Sequence, residues 1–195
     1  MVVAGILHQG DERIMELARS PVGQGVIGFQ LGLFTPMVYG PLTEKIVEVL
    51  GVSAKIFTEN PFKVMDLGSK ILVAPLICLI GPVMEEVFFR GSLQDSLKSA
   101  FRNYYGQGDL SESMVDIAAR VTAVFFSSII FGLIHFTNAL MFWCNPILFL
   151  PQVVAATLLG LIFGFVKEVS GDLHMPIGMH IGNNTLAWTM SLVSA

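Results

Sequence analysis

Apolar residues in this chain run in long blocks separated by short polar or glycine-rich stretches. Blocks at 22–40, 71–89, 121–136, 146–166 and 175–193 each approach the roughly 20 residues a helix needs to cross a bilayer. Five helical spans are therefore predicted. The first is glycine-rich and carries Gln24, Gln30 and Pro36. The second continues as helix to about Leu97. The third can extend to Trp143, where Asn145-Pro146 stops it. Segments 11–19 and 42–50 are amphipathic and read as short surface helices. Residues 55–70 form a polar connector containing Asn60-Pro61, and 103–112 a polar, glycine-containing loop. The expected fold class is all-α, a polytopic transmembrane bundle of about five spans plus short amphipathic helices.

Composition agrees with that pattern. Of 195 residues, 53% are apolar and only 13% charged, against about a quarter charged in a soluble domain; mean hydropathy is +0.70. The net charge of −4 and the spread of the basic residues leave no face for nucleic acid. Cys78 and Cys144 lie in or beside apolar blocks, without a CxxC, and read as buried thiols rather than a disulfide or zinc pair. Residues 1–20 lack a basic start followed by an apolar core, so insertion is expected to rely on the internal spans. With five spans, Arg13, Arg19, Lys98, Arg102, Arg120 and Lys167 share one face and Lys45, Lys55, Lys63 and Lys70 the other. That imbalance makes the first face cytoplasmic.

Charge inside the spans changes the picture most. In Gly81-Pro82-Val83-Met84-Glu85-Glu86-Val87-Phe88-Phe89-Arg90-Gly91, two carboxylates and a guanidinium follow an apolar run. Each such charge costs roughly 2.5–3.5 kcal/mol at a bilayer centre on insertion scales. Glu86 and Arg90 are i,i+4 neighbours on a helix and can pair. Glu85 points elsewhere and lacks a local partner, which suits a general base. Two histidines and an amide join this set. His135 lies in the third span, and His180 and Asn184 lie one turn apart in the fifth. Their depths from the proposed cytoplasmic side, about 16–19 Å for Glu85, about 10 Å for His180 and about 16–22 Å for His135, overlap once the spread of the span boundaries is counted.

Taken singly, each residue also fits a packing or interhelical role, and Phe88, Phe89 and Phe131 read as packing residues. His8 and His174 read as surface or interfacial, and Tyr104, Tyr105, Trp143 and Trp188 as interface anchors. Together, an acid, two imidazoles and an amide support hydrolysis. A carboxylate beside a histidine can take a proton from water and return it to a leaving amine. The second histidine and the amide can donate to an oxyanion. No GxSxG or HExxH occurs, although Glu85, His135 and His180 form an alternative three-ligand zinc set. Two rivals from other classes are a non-proteolytic scaffold or immunity protein and a small transporter relaying protons through Glu85. The transporter lacks the paired broken-helix repeats such folds use.

The ordered set Glu85-Glu86-x-x-x-Arg90, Phe131-x-x-x-His135 and His180-x-x-x-Asn184, with Gly171–Ile177 leading into the last, resembles the CAAX-protease and bacteriocin-processing (CPBP, or Abi) family. The similarity covers roughly Gly68 to the C-terminus. It implies an intramembrane glutamic endopeptidase acting on membrane-associated, in some relatives prenylated, substrates. Glu85 and His135 would activate water, and His180 and Asn184 would form the oxyanion site. Glu86, Arg90 and Phe131 would support them. No cofactor is implied, zinc being the alternative. The chain then divides into 1–67, an amphipathic region with one candidate span and a connector, and 68–195, the catalytic membrane core. The implied setting is a multi-pass protein with its active site nearer the cytoplasmic face. Family members usually carry more spans before the first motif, so the wall that admits substrate is where this chain departs.

Overall fold

The computed structural model describes residues 15–52, 65–137 and 149–193, and these are helical throughout apart from short connections. After a helical turn at 15–19, α1 runs Pro21–Gly32 and α2 Thr35–Val49. The long helix α3 spans Leu67–Tyr105. It is followed by α4 (Glu112–Ile134), α5 (Leu150–Ser170) and α6 (His174–Val193). His8, Trp143 and Cys144 lie outside the described residues, as do most of the expected connector and residues 11–14 of the 11–19 helix. Cys78 is a free, half-buried thiol.

Helices α3, α4 and α5 are long and apolar enough to cross a membrane, and they are the three that meet both conditions among the described residues. The expected count of five is therefore not reached. The block at 22–40 is not one continuous helix, because it is interrupted at Leu33-Phe34. Pro36 has no N–H to give the Gly32 carbonyl four residues back, and that carbonyl accepts from the Thr35 hydroxyl at 2.7 Å instead. The 12-residue α1 is then only about 18 Å long. Helix α6 has 20 residues, but its histidines and asparagines keep it outside the apolar set. Most of α3's apolar window is not covered by protein; Leu72, Met84 and Phe88 face outward, as lipid-facing residues do.

Helix starts follow local chemistry. The Ser20 hydroxyl accepts from the Gly23 N–H at 3.1 Å and Pro21 takes the first helical position. At Asp66, before α3, the Ser69 hydroxyl (2.6 Å) and backbone N–H (2.9 Å) both donate to the carboxylate. Those two bonds hold its carboxyl below the usual carboxylate range. Gly171, at φ +80°, closes α5 in the left-handed conformation that favours glycine.

Packing uses two devices. Helices α1 and α6 meet backbone to backbone through paired GxxxG spacings, Gly28/Gly32 and Gly178/Gly182. A Cβ on Gly28 would strike the Met175 carbonyl, on Gly32 that of Met179, on Gly178 that of Gly25, and on Gly182 that of Phe29. Helices α3 and α5 instead run parallel in a constant register. Arg90 Nη2 donates to Gly160 O (3.3 Å), Gln94 Nε2 to Gly164 O (3.2 Å), and Lys98 Nζ to Glu168 (3.4 Å). At this end α3, α4 and α5 bring Lys98, Arg102, Arg120 and Lys167 into ion pairs with Asp95, Asp116 and Glu168. These are four of the six basic residues assigned to one face from the sequence.

The glycine contact makes a stability prediction. Gly28→Leu or Gly182→Leu should destabilise the protein by about 1–3 kcal/mol through overpacking, read as a lower unfolding midpoint in detergent. Gly40→Leu, where nothing lies within 4 Å, should leave the midpoint unchanged.

Candidate active site

The site begins with a defect in α3. Residues Leu76–Ile80 and Val87–Leu93 are π-helical, flanking the α-helical turn Gly81–Glu86. In the first π turn, the Gly81 N–H bonds to Leu76 O, five residues back. The Ile77 carbonyl thereby loses its usual donor at Gly81. The next candidate, Pro82, has no N–H. A buried carbonyl without a donor is costly in lipid, and here the Asn184 amide fills the vacancy, with Nδ2 donating to Ile77 O at 3.1 Å. The sequence Gly81-Pro82 thus creates the anchor that α6 uses.

Five residues beyond Gly81, Glu86 projects into the bundle with no exposed surface. Its Oε2 lies 3.2 Å from Arg90 Nε, as the i,i+4 spacing predicts. Its Oε1 accepts from His180 Nδ1 at 2.8 Å. Arg90 is equally buried. Its guanidinium sits 4.4 Å from the centre of the Phe131 ring and 5.7 Å from that of Phe163, within the range of cation–π attraction. The Nε–Oε2 approach is too oblique for a hydrogen bond, and Arg90 Nη1 has no hydrogen-bond partner among the described residues. Coulomb attraction and the aromatic faces hold this charge in place of a fork-to-fork pair.

Glu85, one residue earlier and about 100° round the helix, has a different setting. Its side chain is 39% exposed, and its Oε2 faces His180 Nε2 at 3.7 Å. A carboxylate only accepts, so Glu86 holds the His180 proton on Nδ1 and leaves Nε2 toward Glu85. His135 is pinned in the same way. Its Nδ1 donates to the Phe131 carbonyl at 2.8 Å, freeing Nε2. His135 sits at the end of α4 rather than inside it. The Thr137 hydroxyl takes the Ile134 carbonyl at 2.7 Å, and the described helix stops there. The Phe131 ring stands between the two imidazoles, 5.0 Å from His135 and 5.9 Å from His180. Glu85 and His180 are both within electrostatic reach of His135.

The residues singled out from the sequence therefore fall in one region of the bundle. Glu85, Glu86, Arg90 and His180 touch directly, Phe131 packs between them and His135, and Asn184 attaches one turn beyond His180. Spacing alone missed several groups. Glu86 serves His180 as well as Arg90. Asn183, beside Asn184, is buried and meets Thr35 and Tyr39 of α2. Gln94, with no exposed surface, ties α3 to Gly164 and Glu168. The i,i+4 series Glu86, Arg90, Gln94, Lys98 marked that last face in the sequence. Nothing local marked Tyr39. Among the described residues no three His, Cys, Asp or Glu side chains are grouped to hold a metal ion.

Within a helical membrane bundle, a buried carboxylate–guanidinium pair thus holds a histidine, and a second, more open carboxylate faces that histidine's other nitrogen. The family model described as Type II CAAX prenyl endopeptidase Rce1-like matches residues 67–186, well over half of the chain and all the motif residues above. The chain belongs to this family. It is a helical integral membrane protein, and α1 and α2 lie before the matched segment. No curated protein and no solved structure matches the chain.

The buried pair yields a second prediction. Arg90→Met should cost about 3–5 kcal/mol because it strands the Glu86 charge. Adding Glu86→Gln should recover much of that loss. Glu85→Gln, at a partly open position, should shift stability by less than about 1 kcal/mol. Unfolding of the three variants in detergent checks the order.

Proposed function

We propose that the protein is an intramembrane endopeptidase that hydrolyses peptide bonds of membrane-associated, lipidated substrates, with Glu85 as the general base. The observation that carries this reading is the pairing of Glu85 Oε2 with His180 Nε2 at 3.7 Å, on the open side of the closed Glu86–Arg90 pair. In the proposed reaction, water bound at Glu85 and His135 gives its proton to Glu85 as its oxygen attacks the substrate carbonyl. His135 Nε2, left as an acceptor by the Nδ1 bond, orients that water. The developing oxyanion is met by the Asn184 amide N–H and by His180 through Nε2, the nitrogen turned away from Glu86. Arg90 offsets the charge of Glu86 inside the bundle. Collapse of the tetrahedral intermediate breaks the C–N bond, and Glu85 returns its proton to the leaving amine.

Lipidated substrate is the reading that suits the apolar exterior of α3 beside Glu85. Met84, Val87 and Phe88 are exposed there, so a hydrocarbon chain can approach the carboxylate without crossing polar protein. The cytoplasmic face is proposed for the charged end of α3–α5, where the basic residues gather.

The test is cleavage of a farnesylated CAAX-type peptide and its unmodified counterpart by purified protein in detergent. Wild type should cut the farnesylated peptide preferentially, with activity indifferent to chelator. Glu85→Ala and His135→Ala should each lose about 10²–10⁴-fold in kcat. Loss in chelator restored by zinc would replace the glutamic mechanism with a metal one. Equal inactivity of wild type and variants would favour a scaffold.

A further inference from the structure

The Asn184 amide belongs to a chain of hydrogen bonds whose direction can be worked out from its far end. The Ile77 carbonyl can only accept, so Asn184 must present Nδ2 there, at 3.1 Å. Its Oδ1 then faces Asn183, which must present Nδ2, at 3.2 Å. The Asn183 Oδ1 is in turn left facing two hydroxyls of α2, Thr35 at 3.1 Å and Tyr39 at 3.3 Å. A hydroxyl has one proton to give, and Thr35 gives its own to the Gly32 carbonyl at the shorter distance of 2.7 Å. Tyr39 therefore supplies the terminal proton. Reversing either amide would set oxygen against oxygen at Ile77 or between the two asparagines, so the chain has one consistent sense. Asn184 keeps a second amide proton with no partner among the described residues.

We propose that Tyr39 is a positioning residue, which locks the orientation of the Asn184 amide through Asn183 and keeps that second N–H available to a reacting oxygen. The α1–α2 segment, which precedes the family-matched residues, is then part of the machinery of this chain as well as packing for α6. This rests on the peptidase reading for its catalytic consequence, though the orientation of the amide does not depend on that reading.

Tyr39→Phe removes one oxygen and keeps the ring, so it tests the chain without opening a cavity. The comparison variant is Tyr105→Phe, whose hydroxyl meets Thr122 at the far end of α3. With full-length protein in detergent, side-chain amide hydrogen exchange at Asn184 is followed by NMR, assigned by its loss in Asn184→Ala. Exchange should quicken about tenfold in Tyr39→Phe, the effect of about one hydrogen bond, and stay unchanged in Tyr105→Phe. On the farnesylated peptide, kcat should fall about tenfold with KM unchanged, and Tyr39→Phe should cost nothing further in an Asn184→Ala background. Unchanged Asn184 exchange in Tyr39→Phe overturns the proposal. So does a loss confined to KM, or one that adds fully to that of Asn184→Ala. If wild type leaves the peptide uncut, the peptidase reading fails and the exchange measurement still decides the role of Tyr39.

Discussion

A carboxylate with no exposed surface, Glu86, is the constraint around which the bundle is arranged. An ionised group in that position must be matched by charge and by donors, since stranding it costs several kcal/mol. Arg90 supplies the charge from the same helix and His180 supplies a donor from another. Each partner brings further requirements. Arg90 needs the rings of Phe131 and Phe163 and the carbonyl of Gly160, which draws α4 and α5 around α3. His180 needs α6 held at a fixed height, which the glycine contact with α1 provides. One buried acid therefore specifies the placement of four helices.

Adjacent glutamates acquire different chemistry from this geometry. A rotation of about 100° per residue turns Glu86 into the bundle and leaves Glu85 on its open edge. The two share His180, one at each nitrogen. The inner carboxylate accepts from Nδ1 and fixes the ring plane, and the outer one stays partly exposed beside Nε2. A single histidine flanked in this way is oriented by a group that cannot itself leave or be solvated. Substituting aspartate for Glu86 would shorten the reach to both Arg90 and His180. The length of the inner side chain matters as much as its charge.

How much of this could be read from the chain varies with the kind of contact. The i,i+4 pairing of Glu86 with Arg90, and the separateness of Glu85, follow from helical periodicity and needed no tertiary information. The gathering of His135, His180 and Asn184 near them was accessible only as overlapping depths, because periodicity carries no information on which faces of different helices meet. The Glu86–His180 bond was invisible for that reason. The interruption of the first block at Leu33-Phe34 was not visible in its hydropathy, which says nothing of backbone angle. By contrast, Gly28-x-x-x-Gly32 and Gly178-x-x-x-Gly182 were present in plain sight. Their spacing is the known signature of close helix approach in membranes, and it locates the α1–α6 contact that brings Tyr39 to Asn183.

Lipid explains why so many side chains in this site bind backbone. A bilayer interior offers no water to satisfy a polar group, so main-chain carbonyls become the acceptors within reach. Arg90 uses Gly160, Gln94 uses Gly164, His135 uses Phe131 and Asn184 uses Ile77. Two of these carbonyls belong to glycines, where the missing side chain lets a neighbouring helix approach. The Ile77 carbonyl is released by a π turn followed by proline. A carbonyl on a helix is held by its neighbours far more rigidly than a side-chain acceptor on a rotatable stem. Anchoring Asn184 and His135 to such points fixes their free atoms without further residues. This is how a chain with few polar side chains in its membrane segments can still hold an acid, two imidazoles and an amide in one arrangement.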